Sequence, residues 1–195
     1  MLKGISVDVK NLAEIDAEEK LFDKIKLFNQ YALYVGIPES TSDRNGTITN
    51  AELAFIHTNG VYKKNLDTVK GYLDSLTPAA RAQMMETGSP LYRIPPRPFM
   101  QPALNKHVNQ IETSLKRASK RNLEEGKSGL IDEFNKLGLR CQNWIRKWFT
   151  DPENGWPPNK PATIKAKGSD KPLIDTGELR KSITYVIRKG GRDID

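Results

Sequence analysis

The sequence predicts an α+β fold: a small, mostly antiparallel sheet packed on one long helix, straight or bent, with short helices and an extended loop or arm. Two observations carry this. Between Leu104 and Trp148 the apolar residues step by three and four: Leu104, Val108, Ile111, Leu115 and Ala118, then Leu130, Phe134, Leu137, Cys141, Trp144 and Trp148. That spacing puts each set on one helix face. Three short segments, Gly4–Val9, Tyr31–Ile37 and Ile183–Ile187, are instead rich in β-branched or aromatic residues, and the first alternates apolar with polar, as strands do.

The long stretch opens with the stiff turn Ile94-Pro95-Pro96-Arg97-Pro98-Phe99. Gly126 and Gly129 separate its two apolar sets. At about 100° per residue the second set is rotated by less than a quarter turn, which fits either a bent continuous helix or a helix pair. A single helix from Pro102 to Phe149 would be roughly 70 Å long. That exceeds the width of a compact domain of this size, so part of it is expected to pack outside its own fold.

The other elements follow in order. Leu12 to Phe28 has helical period, with Leu12, Ile15, Leu21, Ile25 and Phe28 near one face, acidic residues at its front and lysines at its back; the charge order suits the helix dipole. After the strand to Ile37, Glu39 to Gly46 is a polar loop, and Thr47 or Thr49 caps a helix ending at Asn59-Gly60. Residues 61–93 form an excursion with a thin apolar stripe, Leu66, Val69, Leu73 and Leu76, and a second start at Thr77-Pro78 closed by Gly88; such thin content predicts order only on assembly. Asp151 to Pro161 carries four prolines and is expected to be irregular, with Trp156 pinning it to the body. Thr163 to Lys167 is long enough for one helical turn. Asp175 or Thr176 caps a short helix through Ser182, and the tail 188–195 is polar and expected to be loose. The whole, 1–195, reads as a single domain.

Composition bounds the function. The 195 residues are 37% hydrophobic and 28% charged, with net charge +7: a modest core, much polar surface, and a basic balance that permits nucleic-acid contact without demanding it. One cysteine, Cys141, excludes an internal disulfide framework and falls on the long apolar stripe as a small core residue. No apolar run approaches the roughly 20 residues that cross a bilayer, so no membrane partner is expected.

The chemistry-bearing motifs are few. Asp175-Thr176-Gly177 after Leu173-Ile174 matches the aspartic-protease signature, but Glu178 stands where a small residue is usual and only 18 residues follow Gly177; a cap and turn explains the same residues. His57 and His107 with one cysteine make no metal-ligand spacing. Neither a phosphate loop nor a nucleophile elbow is present, so no enzyme, cofactor or metal is expected. Lys116, Arg117, Lys120 and Arg121 form two adjoining basic rows on the helix. They fit a DNA-channel wall, a DNA-binding face, a subunit contact, or a solvated face balanced by Glu112, Glu124 and Glu125.

Two groups of segments carry a family resemblance. Ala51-Glu52-Leu53-Ala54-Phe55-Ile56-His57-Thr58-Asn59-Gly60, followed by Ile94-Pro95-Pro96-Arg97-Pro98-Phe99-Met100-Gln101-Pro102-Ala103-Leu104, resembles one signature of small bacteriophage head–tail joining proteins of the tail-completion, neck and virion-morphogenesis type. Gly155-Trp156-Pro157-Pro158, Thr163 and Lys171 to Ile183 resemble their ending. The excursion at 61–93 is longer than the loop usual there. The resemblance implies a structural virion protein. It would form a homo-oligomeric ring, sixfold or twelvefold, joining the portal or connector side of the DNA-filled head to the tail. Its partners would be copies of itself, other neck, portal-adaptor or tail proteins, and passing DNA touched without specificity. Its place would be the virion, and the host cytoplasm during assembly. In the motif, Pro95, Pro96 and Pro98 fix the backbone, while Arg97 and Phe99 anchor the corner by a charge-assisted hydrogen bond and by burial; a polyproline recognition ligand is the other use of such a run.

Overall fold

The computed structural model describes residues 9–38, 48–62, 77–79 and 92–193; for residues 9–16, 62, 92 and 93 it describes the backbone alone. The fold is α+β. In order the elements are α1 (Val9–Asn29), β1 (Tyr31–Gly36), α2 (Asn50–Asn59), β2 (Val61–Tyr62), β3 (Tyr92–Ile94), α3 (Met100–Asn105), α4 (Val108–Glu125), α5 (Lys127–Trp148), a 3-10 turn (Pro152–Asn154), α6 (Pro161–Lys167), α7 (Glu178–Ser182), β4 (Thr184–Lys189) and β5 (Arg192–Asp193). One sheet has the order β1-β4-β5, with β4 and β5 antiparallel; β2 and β3 form a separate antiparallel ladder. Among the described residues no helix is long and apolar enough to cross a membrane.

The chain divides into two compact units, Met1–Tyr34 with Asn109–Gly138 and Val186–Asp195, and Val35–Val108 with Leu139–Tyr185. In the first, α4 and α5 are a helix pair. Gly126 adopts φ +67°, where an L side chain is strained, and its N–H donates to the Asn122 carbonyl at 3.0 Å. The chain turns there and α5 runs back along α4, because Arg121 and Arg117 both reach Glu133. The helices meet through small residues: a Cβ on Gly129 would lie 2.7 Å from the Arg121 carbonyl oxygen. Ala118, Leu130, Phe134, Tyr31 and Ile187 form the core, with Leu27, Phe28, Leu33 and Ile131 packed on it. Phe28 meets Phe134 edge-on at 6.0 Å. The buried Asn122 donates to the Lys24 carbonyl at 2.7 Å and the Lys24 ammonium donates to the Leu123 carbonyl, which ties α1 to α4.

The second unit packs Ala54, Phe99, Ala103, Ile145, Trp148, Phe149, Leu179 and Ile183 together. Thr49 caps α2 with a reciprocal box: its hydroxyl accepts from Glu52 N–H at 3.2 Å and the Glu52 carboxylate accepts from Thr49 N–H at 2.8 Å. Arg146 donates from Nε and Nη2 to the Ile183 carbonyl at 3.1 and 2.7 Å and from Nη2 to the Lys181 carbonyl at 2.8 Å, which satisfies the end of α7.

Several expectations are corrected. The 70 Å rod does not form; the helix pair does, since Gly126 reverses the chain. Of the apolar stripe on α4, Ala118 is buried as expected, beside Ser114 and Asn122, while Val108 and Leu115 are exposed and Ile111 is half-buried. A close helix pair selects small side chains at its seam, and Asn122 is retained there by its bond to α1. On α5 the stripe is buried as expected except that Ile145 takes the core position and Trp144 stacks on His107 at 4.2 Å. α1 docks through Lys24, Leu27 and Phe28, leaving Leu21 and Ile25 exposed. Val9 opens α1 instead of ending a strand, and residues 4–8 lie outside the described residues. Within the expected loose tail, Arg188 and Lys189 end β4 and pair with Asp193 and Arg192, and the Arg188 guanidinium meets the Asp193 carboxylate at 2.5 Å. The expected irregular stretch holds one 3-10 turn, capped by the Asp151 carboxylate accepting from Glu153 N–H. The ends of the excursion are zipped by β2 and β3; its apolar stripe and Gly88 lie outside the described residues, and Pro78 and Ala79 are helical.

The seam gives a prediction on which two rules disagree. Helix propensity says that Gly129→Ala stabilises by about 1 kcal/mol. The 2.7 Å approach to a backbone oxygen says that it destabilises, by about 1–3 kcal/mol. Urea denaturation is expected to show the loss.

Candidate functional site

The motif segments Ala51–Gly60, Ile94–Leu104 and Gly155–Pro158 meet in the second unit. The Arg97 N–H donates to the His57 carbonyl at 2.6 Å. Gly60, at φ +72°, presses so closely on the turn that an added Cβ would lie 2.8 Å from the Ile94 oxygen and 2.9 Å from the Pro96 nitrogen. This explains why the helix ends in glycine there. The Arg97 side chain, 7% exposed, donates from Nε and Nη2 to the Pro157 carbonyl at 3.1 and 2.7 Å and from Nη2 to the Pro158 carbonyl at 3.1 Å. Trp156 answers in the other direction, its indole N–H donating to the Pro98 carbonyl at 3.0 Å. Phe99, fully buried, meets Phe149 with the rings tilted and 4.9 Å apart, and Phe149 meets Trp156 edge-on at 5.7 Å.

The chemistry of this corner is a cation caged by peptide carbonyls. Prolines supply acceptors without competing N–H donors, and the guanidinium fork suits two adjacent oxygens. Burial lowers the proton affinity of Arg97, yet an arginine stays charged under any folding condition. Pro95, Pro96 and Pro98 are partly or fully buried around it. A polyproline ligand needs its run free to dock; this one is spent on its own fold.

Asp175, Thr176 and Gly177 lie in the same unit but not at the corner's hydrogen bonds. Gly177, not Asp175 or Thr176, is the N-cap of α7; the Thr176 hydroxyl accepts from Glu178 N–H at 3.4 Å. The expectation of a side-chain cap is corrected because the loop approaches α7 through Gly177, which leaves Asp175 exposed. Lys167 organises this loop, donating to the carbonyls of Lys171 and Ile174, the latter at 2.8 Å. Burial lowers its proton affinity, the Asp175 carboxylate opposes that, and the Arg97 charge adds to it. Lys167 was not legible as a special residue; a lysine before a Gly-terminated turn is common.

The basic rows lie on α4 in the first unit, and the hairpin has already used their arginines. Arg121 donates to Glu125 at 3.0 and 2.5 Å and lies 3.5 and 3.3 Å from Asp132 and Glu133. Arg117 lies 3.8 Å from Glu133. Lys120 lies 3.7 Å from Glu124 with both side chains largely exposed, and Lys116 makes no ion pair among the described residues. Glu133 is the centre: its side chain is 4% exposed and it also takes Lys136 at 3.1 Å. Burial pushes its carboxyl up, but hydrogen bonds from Lys136 and Arg121 and the charges of Lys136 and Arg117 more than offset this and hold it below the usual range. Glu133 was missed from sequence because it stands on α5, far along the chain from the rows it neutralises. Cys141 is buried, and burial pushes its thiol up to about 11, the opposite of what a nucleophile needs.

No family model, curated protein or solved structure matches the chain.

Two predictions follow the geometry. Arg97→Lys keeps the charge but cannot span both prolyl carbonyls, and leaving buried acceptors unpaired costs about 1–3 kcal/mol; denaturant unfolding followed by Trp156 emission is expected to show a loss in that range, and an unchanged midpoint would mean that the fork is dispensable. Glu133 has a depressed carboxyl, so its contribution is present above the ordinary carboxylate range near about pH 4 and is lost as pH falls through and below that range. Stability measured from pH 7 to 3 is expected to fall less steeply in Glu133→Gln than in the parent.

Proposed function

We propose that the chain is a structural subunit of a bacteriophage neck or tail-completion assembly: a homo-oligomeric ring joining the DNA-filled head to the tail. The observation that supports this reading is that three of the segments on which the resemblance rests, Ala51–Gly60, Ile94–Leu104 and Gly155–Pro158, are partners in space. Arg97 of the Ile94–Leu104 segment is held by Pro157 and Pro158 of the Gly155–Pro158 segment, Trp156 of the latter holds Pro98 of the former, and Gly60 closes on Ile94 and Pro96. Co-occurrence in sequence thus has a single physical reason, a corner that needs all three. A stiff, caged corner that orients helices is suited to a part that must keep its shape under load.

In a ring that encloses DNA, Lys116 and Lys120 are the residues of the basic rows left to meet phosphates. Two well-separated ammonium groups offer weak, sequence-blind contact, which suits a conduit better than a grip. The rival reading, a DNA-binding module on Lys116 to Arg121, loses its two best phosphate ligands to Glu125 and Glu133.

Light scattering on the purified chain, with and without duplex DNA, separates these. The neck reading expects particles whose mass is a multiple of the 22.0 kDa chain and unchanged by DNA. A monomer with tight, steeply salt-dependent DNA affinity would sink it. Lys116→Gln with Lys120→Gln is expected to leave assembly intact and alter only DNA retention.

A further inference from the structure

The first unit leaves one face of α1 unused. The helix docks through Lys24, Leu27 and Phe28, while Leu21 (47%), Phe22 (63%) and Ile25 (45%) are exposed. Scattered apolar residues need no explanation, but these three fall within five positions and sit in a charge pattern. Glu18, Phe22 and Lys26 step by four and so lie in one row along the helix. A carboxylate stands one turn before the aromatic ring and an ammonium one turn after.

Such a row is complementary to itself when run antiparallel. A two-fold axis at Phe22 lays the ring on its own copy, sets Glu18 opposite Lys26 of the second chain, and sets Lys26 opposite its Glu18. Leu21 and Ile25, about 100° and 60° round the helix from Phe22, lie together on one side of the ring and widen the apolar strip there. Among the described residues Lys26 pairs with Asp23 at 3.8 Å, and both side chains are more than 70% exposed, a pair too solvated to hold it. We infer that α1 is a homotypic docking face, pairing antiparallel with α1 of a second copy about a two-fold axis at Phe22.

The face sets the strength. A helix of 21 residues is roughly 32 Å long and roughly 10 Å wide, so each copy buries roughly 300 Å². Stable interfaces bury roughly 800 Å² per partner. The contact therefore belongs to the weak, concentration-dependent class, and the charges decide its register more than its affinity. The inference stands apart from the neck reading, since a ring can exist without it.

Sedimentation equilibrium of the full chain over a concentration series tests it. Association should weaken at least tenfold in Phe22→Glu, and likewise in Glu18→Lys and in Lys26→Glu, where like charges then face each other. Mixing the Glu18→Lys and Lys26→Glu chains should restore it to within about threefold of the parent, because each carries the complement of the other. Circular dichroism should be unchanged in all three, as the residues are exposed. A parent mass independent of concentration, single swaps that associate like the parent, or a mixture that stays as weak as its components each overturns the proposal. A parent that assembles through other surfaces shows the second of these outcomes.

Discussion

Much of the second unit hangs on one buried cation. Arg97 is enclosed where the chain is least able to move, between three prolines on its own side and two on the other, and its guanidinium donates to the peptide oxygens of Pro157 and Pro158. Isolated in an apolar setting, a guanidinium would cost several kcal/mol. Here the carbonyls that take its donors have no competing N–H groups of their own, so both sides of the bond would be unsatisfied without the other. The Phe99, Phe149 and Trp156 cluster then seals the corner from water. Arg146 repeats the device on the end of α7 with the carbonyls of Lys181 and Ile183. In both places an arginine does what a hydrogen-bonded strand would do elsewhere: it ties two segments that share no ladder.

The first unit solves a different problem with the opposite chemistry. Its two helices approach through glycine, alanine and serine-sized surfaces, which leaves little apolar area to bury. The deficit is offset by polar bonds: Asn122 to the Lys24 carbonyl, Lys24 to the Leu123 carbonyl, and Glu133 with its two arginines and Lys136. Such polar closure suits a chain in which charged residues make up 28% of the composition against 37% hydrophobic. It also occupies the two arginines of the basic rows, Arg117 and Arg121. Charges that hold a hairpin together are not free to hold a phosphate backbone.

Local signals in the sequence were legible where one segment determines its own structure. β1, α2 with its Thr49 cap, α5, α6 and β4 all fall near the residues that their periodicity and punctuation mark. The corner was legible too, because proline restricts the backbone whatever surrounds it, and the Arg97 anchor was expected. What escaped the sequence were choices made by partners distant along the chain. Periodicity put Ala118 inside, where it lies, but it also put Leu115 and Val108 there, and these are exposed while Ser114 and Asn122 are buried instead. Leu21 and Ile25 share a period with Phe28 yet lie outside, because Lys24 is the residue that α4 grips. Glu133 and Lys167 carried no local mark at all. The helix cap falls at Gly177, one residue after Thr176 and two after Asp175; Asp and Thr are good caps in isolation, and only the loop's approach favours glycine.

The proposed joining role is tested most directly by electron microscopy of particles assembled without this protein. The account predicts full, tailless heads accumulating beside free, complete tails, with joining restored when the purified chain is added. Normal tailed particles in its absence, or empty heads with no packaged DNA, would contradict it.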